Sequence, residues 1–215
     1  MAIPLKTKLS TILNLIREPQ IFRFLLSQRH TGFLFEQGWF KSFKLKSPLD
    51  KNNNPIPWMT YSFIDFIKER LNKELTVFEF GSGNSTLFFS ERVKHVTAVE
   101  HNKEWYENIK SRMPKNVSLF LKDPSEEYNK SVVGSFDIVI VDGINRNECI
   151  ENSIKSLTSS GIIILDDSER PDYLDGANLL KKLGFKRIDF WGISPGLFYK
   201  KSTTIFYNNK NCLEI

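Results

Sequence analysis

Cysteine is nearly absent: Cys149 and Cys212 are the two in 215 residues, and their spacing forms no motif. That excludes a disulfide framework or a cysteine-based zinc site and points to a reducing, cytoplasmic setting. Long apolar runs are missing as well. None approaches the roughly 18 residues of a membrane span, and Met1-Ala2-Ile3-Pro4-Leu5-Lys6 lacks the uninterrupted apolar core of a signal peptide. No internal repeat or low-complexity segment stands out. What is present is an ordinary globular balance, 40% hydrophobic and 26% charged, which suits one domain with an extension rather than a disordered chain. Eighteen phenylalanines are many. Several fall outside the expected strands, where they could line a pocket or a lid.

The formal net charge of +5 is unevenly placed. Residues 1–51 hold nine Lys/Arg against three Asp/Glu, while the remainder holds 21 against 22. A basic leader can meet nucleic acid, a phosphorylated substrate or a membrane surface, or can simply be a solvated helical face.

Within that leader, residues 5–29 read as one or two short helices. Leu9, Ile12, Leu13, Leu15 and Ile16 keep helical spacing, and Pro19 starts a second piece carrying Ile21, Phe22, Phe24, Leu25 and Leu26. Lys6, Lys8, Arg17, Arg23 and Arg29 lie among them, as in a membrane-surface helix. A cap packed on the domain is the favoured expectation, because such stripes usually bury against something. Residues 31–43 are aromatic without a clear period. Residues 51–57 read as a loop and a domain boundary, dividing a helical extension over 1–57 from a domain over 58–215. A helix is expected from Trp58 to Leu71.

From Leu75 onward strands and helices alternate. Strands are expected at 75–80, 96–100, 117–121, 136–141 and 161–165, with helices at 85–93, 103–112, 146–157 and 172–183. Strands apolar on both faces and separated by helices imply a parallel sheet covered on both sides. The tail differs, because strands at 185–191 and 203–207 have no helix between them and should form an antiparallel hairpin. The expected class is therefore α/β: a doubly wound, mostly parallel seven-stranded sheet with an antiparallel C-terminal hairpin and an N-terminal helical extension.

The stretch Glu79-Phe80-Gly81-Ser82-Gly83-Asn84-Ser85-Thr86 joins the first strand to its helix. A strand, a Gly-rich turn and a helix start bring free backbone N–H groups to one point. Gly81 and Gly83 allow positive φ and close ligand approach. A dinucleotide fingerprint would place a third glycine where Thr86 stands. Glu79, so near the turn, would repel a pyrophosphate and suits a cationic ligand. This stretch resembles motif I of the class I S-adenosylmethionine (SAM) methyltransferases. The resemblance covers roughly residues 75–208. It implies that the turn, through Glu79, Gly81, Ser82, Gly83 and Ser85, holds the methionine part of SAM.

Acids recur at the other expected strand ends, where ligands of open α/β sheets bind. Glu100, followed by His101, ends strand two, about 20 residues after the glycines, and is the candidate for the ribose hydroxyls. Asp123 follows strand three and, by the same resemblance, could meet the adenine amino group. Asp142 follows strand four, and Asp166 and Asp167 follow strand five. Three carboxylates on adjacent strands are costly together unless a cation neutralises them. Oxygen donors alone suit Mg²⁺ or Ca²⁺. The Val-Asp-Gly of 141–143 and the Leu-Asp-Asp of 165–167 look like the metal-dependent O-methyltransferases of the catechol and macrocin types. That resemblance implies Asp142, Asp166 and Asp167 as metal ligands, with Asp142 and Asp167 in catalysis. Where sugar enzymes of that type often carry a second acid as base, this chain has Gly143-Ile144-Asn145-Arg146. Arg146 and Arg170 could grip an anionic group of the substrate or form plain salt bridges.

The expected function is SAM-dependent methylation, on oxygen of a small-molecule or glycan-like acceptor. A nucleic-acid acceptor is disfavoured, because no Asn/Asp-Pro-Pro-Tyr signature follows strand four. A nicotinamide-dependent oxidoreductase and a non-catalytic binding module on the same fold are the alternatives.

Overall fold

A computed structural model describes residues 4–215, the side chains of Leu9 and Glu126 excepted. Residues 1–3, on which the signal-peptide reading partly rests, lie outside the described residues. In chain order the helices of the leader are α1 (Leu5–Arg17), α2 (Pro19–Ser27), α3 (Phe33–Glu36) and α4 (Trp39–Leu45). Helix α5 (Tyr61–Lys68) leads into β1 (Thr76–Phe80), α6 (Asn84–Ser90), β2 (His95–Glu100), α7 (Lys103–Lys110), β3 (Val117–Leu121) and α8 (Glu126–Asn129). Then come β4 (Phe136–Val141), α9 (Arg146–Ser153), β5 (Leu157–Asp166), α10 (Leu174–Lys182), β6 (Lys186–Gly192) and β7 (Lys201–Tyr207).

The seven strands form one sheet in the order β3-β2-β1-β4-β5-β7-β6. β1 to β5 run parallel. β7 returns antiparallel between β5 and β6, because the short loop from β6 holds no crossover helix. The order reverses between β1 and β4, so the switch point lies beyond their carboxyl ends. The expected α/β class and hairpin are observed. Strand alternation divides the core into two layers. Val77, Ile138, Ile140, Ile162, Ile164 and Ile205 face α5 and the leader residues Trp39 and Ile56. Phe78, Phe80, Val139, Val141, Ile163 and Leu165 face Ile150 of α9 and Leu180 of α10.

Four expectations change. β5 begins at Leu157 rather than 161, pairing Leu157 with Phe136 across a register shift; the polar run Thr158-Ser159-Ser160 concealed this start. Helix 58–71 contracts to α5, since Trp58 and Met59 precede it in a bend of the chain. The boundary at 51–57 does not separate two cores, because Trp39 and Ile56 are buried with Tyr61 and Phe63. Finally, α1 and α2 do not cap the domain: among their described residues none is buried, and Ile12, Leu13, Phe22 and Phe24 are exposed. Their contacts fall chiefly on each other.

Candidate functional site

The turn after β1 is shaped by Gly81. Its φ is +98°, and a Cβ there would lie 3.2 Å from the Asp142 carbonyl oxygen, so only glycine fits without strain. Its N–H donates to the Val99 carbonyl at 2.9 Å, tying the turn to β2. Gly83 differs from expectation. Its φ of 166° is extended backbone, and a missing Cβ leaves space bounded by Trp105 at 3.8 Å. Its value is close approach alone.

Glu79 lies at the bottom of this turn, 1% exposed. Its two oxygens accept hydrogen bonds from Ser85 and from Thr86, the latter at 2.5 Å. Thr86 in turn accepts from the Gly83 N–H at 3.0 Å. Burial pushes the Glu79 carboxyl up to about 8 against the pull of these hydroxyls. Here the carboxyl group braces the turn from beneath. Glu100, at the end of β2, is also buried. Its Oε2 accepts from Ser82 Oγ at 2.9 Å, and its Oε1 accepts from the His101 and Asn102 N–H groups. The His101 ring meets Tyr128 edge to face. Asp123 is exposed beyond β3 and is not drawn into this group.

A first cleft opens over the turn, lined by Ser82, Gly83, Asn84, Ser85, Trp105 and Asp142, among others. Asn102 caps α7 by accepting from the Trp105 N–H, which sets the indole over the turn, where its N–H donates to Ser82 O at 2.8 Å. Asn84 Nδ2 donates to Pro48 O at 2.7 Å, so the leader closes the opposite side. The free space is about 130 Å³, below the roughly 300 Å³ of ordinary ligand clefts. A nucleoside-sized ligand therefore needs a wider opening than this cleft presents.

A second cleft of about 420 Å³ lies beside it, lined by Trp58, Asp142, Asp166, Asp167, Leu197, Tyr199 and Lys201. Trp58 and Asp142 line both clefts and form the wall between them. The expected convergence of the three aspartates is observed, but cations of the chain itself occupy their oxygens. Lys201 Nζ lies 2.5 Å from Asp166 Oδ2 and 2.6 Å from Asp167 Oδ1. Arg146 reaches Asp142 Oδ1 at 3.1 Å and the Asp166 carbonyl at 2.5 Å. Arg170 pairs with Asp167 at 2.7 Å, and Thr203 donates to Asp166 Oδ1 at 2.6 Å. Three cations thus balance three acids.

The metal expectation is corrected on that ground. An ammonium at the oxygens of Asp166 and Asp167 would repel a divalent ion there, so the donor set does not fit Mg²⁺ or Ca²⁺. Among the described residues, no group of three or more His, Cys, Asp or Glu is arranged to hold a metal. Arg146 is likewise a buried structural partner, with its Nε donating to Gly143 O, rather than a free grip for substrate. Burial and the neighbouring Asp166 push Asp142 up to about 7, against the pull of Arg146 and Lys201.

Lys201, Trp58 and Trp105 were missed as site residues. Lys201 carried a signal: a lysine opening an otherwise uncharged strand, two residues before Thr203, shares the face of that strand which meets Asp166.

Residues 78–168 match the model of a family described as a methyltransferase domain. No curated protein matches the chain in sequence. Among solved structures, a Staphylococcus aureus protein assigned as a caffeoyl-CoA O-methyltransferase is similar at TM-score 0.56 and 14% identity, covering 86% of this chain and 98% of that one. Precorrin-6y C5,15-methyltransferase from Geobacter metallireducens gives 0.52 and 19%, covering 68% and 88%. A Streptococcus mutans protein assigned as a methyltransferase, in complex with SAH, gives 0.50 and 19%, covering 67% and 94%. The chain therefore has the class I methyltransferase fold, and the segment that matches a methyltransferase domain, residues 78–168, is the one that carries Glu79, the glycine turn, Glu100, Asp142 and the Asp166–Asp167 pair.

Proposed function

We propose that the protein is a SAM-dependent methyltransferase acting on a hydroxyl oxygen of a small-molecule or glycan-like acceptor. The observation that carries this reading is the pair of clefts divided by Asp142 and Trp58 at the switch point. One is floored by the glycine turn and the other by a polar ion cluster.

The residues of the first cleft suit the cofactor. Gly83 leaves open space at the turn, Glu100 is fixed by Ser82 at the end of β2, and Trp105 can cover a bound nucleoside. SAM bound there supplies an electrophilic methyl group on a sulfonium. In the second cleft Trp58 and Tyr199 offer aromatic faces to a ring or sugar acceptor. Asp142, at the dividing wall, receives the acceptor's hydroxyl proton as the oxygen gains the methyl group. With its carboxyl raised to about 7, it matches the proton affinity wanted of a base near neutral pH. Lys201, in the wall of that cleft, offsets the negative charge that Asp166 and Asp167 would otherwise set against the ionising acceptor oxygen. Asp166 and Asp167 hold that ammonium, so Asp167 positions Lys201 rather than taking the proton.

Calorimetric titration with SAM and, separately, NAD⁺ tests the cofactor class. Micromolar SAM binding without NAD⁺ binding is expected. Gly83→Val should weaken SAM at least about tenfold, or ~1.4 kcal/mol, with an unchanged melting temperature, because its Cβ enters free space. NAD⁺ binding alone would replace the reading with the oxidoreductase, and binding of neither with a non-catalytic module.

A further inference from the structure

The leader is at odds with the rest of the chain. α1 and α2 are amphipathic, yet their described apolar side chains lie outside every core. Ile12, Leu13 and Ile16 of α1, and Phe22, Phe24 and Leu25 of α2, are all exposed. Such a surface is costly in water and marks an interaction site when it is contiguous. Its charge is equally one-sided. Lys6, Lys8, Arg17, Arg23 and Arg29 flank these positions, and Glu18 is the one acid from residue 5 to 29.

We propose that α1 and α2 form a docking surface for an anionic lipid bilayer, lying in the plane of the interface. The two halves of the surface select this occupant together. Acyl chains accept the aliphatic and aromatic side chains, while anionic headgroups pair with the cations. A second copy of the chain would bring five cations against five. A nucleic acid would use the cations and leave Phe22, Phe24 and Leu25 in water. Lengths agree with a surface position: no described helix is long and apolar enough to cross a membrane, and α1, at 13 residues, spans only about 20 Å.

The character of the surface continues past α2. A groove of about 850 Å³ is lined by Phe43, Leu45 and Phe198 together with Arg29, Lys41 and Lys44. Phe198 directly precedes Tyr199 of the acceptor cleft, so this groove borders that cleft. The proposal does not depend on the reaction assigned to it.

Sedimentation of the full chain with vesicles tests it, using phosphatidylcholine alone and phosphatidylcholine mixed with phosphatidylglycerol. At least about tenfold more protein should partition onto the anionic vesicles, falling with added salt. Phe22→Glu with Leu25→Glu should abolish sedimentation through the apolar half. Arg17→Glu with Arg23→Glu should remove the preference for anionic lipid. Both pairs are exposed, so circular dichroism and melting temperature should not move. Absent or equal binding to the two vesicle types overturns the proposal. A dimer on gel filtration that Phe22→Glu with Leu25→Glu splits, without vesicle binding, gives the face to a second copy. Retention of a single-stranded RNA probe without vesicle binding gives it to nucleic acid.

Discussion

The side chain of Lys201 is 4% exposed, a position in which a charge survives only with partners. It has two carboxylates and the Trp58 carbonyl at 3.2 Å. Its pKa is raised, since the pull of Asp166 and Asp167 outweighs the opposing effect of burial. Removing one member of such a buried cluster leaves uncompensated charge, which typically costs about 3–5 kcal/mol. Lys201→Met should therefore lower stability in urea by about that amount, and adding Asp166→Asn and Asp167→Asn should recover a large part of it. The wild-type protein should show the same melting temperature and SAM affinity in EDTA as in Mg²⁺. A Mg²⁺-dependent rise in wild-type stability would show that the ammonium does not occupy the place of the ion.

At the scale of elements, the junction of β1, its turn and α6 shows what a sequence exposes and what it conceals. The strand, the turn and the acid were legible because each has a local cause: an apolar run, a positive φ at Gly81, a helix start. The direction of Glu79 was not legible, because Ser85 and Thr86 claim its oxygens only once α6 is in place. Lys201 was legible only as a lysine opening an uncharged strand: its partners lie 34 and 35 residues earlier in the chain, and pairing across an antiparallel return has no local pattern. The leader failed in the opposite way, since a stripe of apolar residues states that a face wants cover but not what covers it.

The Glu79 brace also makes this junction sensitive to pH. Its folded pKa of about 8 lies above the ordinary 4.5, so the folded state holds the proton more tightly. The contribution to stability is present below about pH 4.5 and is lost as pH rises towards 8. Glu79→Gln keeps the shape and removes the titration. Melting temperatures followed from about pH 5 to about pH 8 should fall for wild type relative to this variant. Parallel curves for the two proteins would mean that Glu79 ionises in the folded state as readily as in the unfolded chain.

The molecule as a whole joins two regions of unequal stability. The central strands of the sheet have both faces buried, and Val77, Ile138, Val139, Ile140 and Ile163 are fully inaccessible. α4 shares in this, because Trp39 inserts into the core and its indole donates to Leu197 O at 3.0 Å. α1 and α2 do not, since their contacts are mainly mutual, and helices of 13 and 9 residues without tertiary packing are marginal in water. Amide hydrogen exchange should separate the two regions. Residues 5–27 should exchange with little protection, while β1, β4 and β5 exchange at least about a thousandfold more slowly, close to the limit set by global unfolding. Anionic vesicles should slow α1 and α2 and leave the sheet unchanged, because a docked helix gains an apolar partner without altering the core. Protection of α1 and α2 equal to that of β4 in the free protein would mean that the leader is packed as tightly as the sheet, and that its apolar face is already covered.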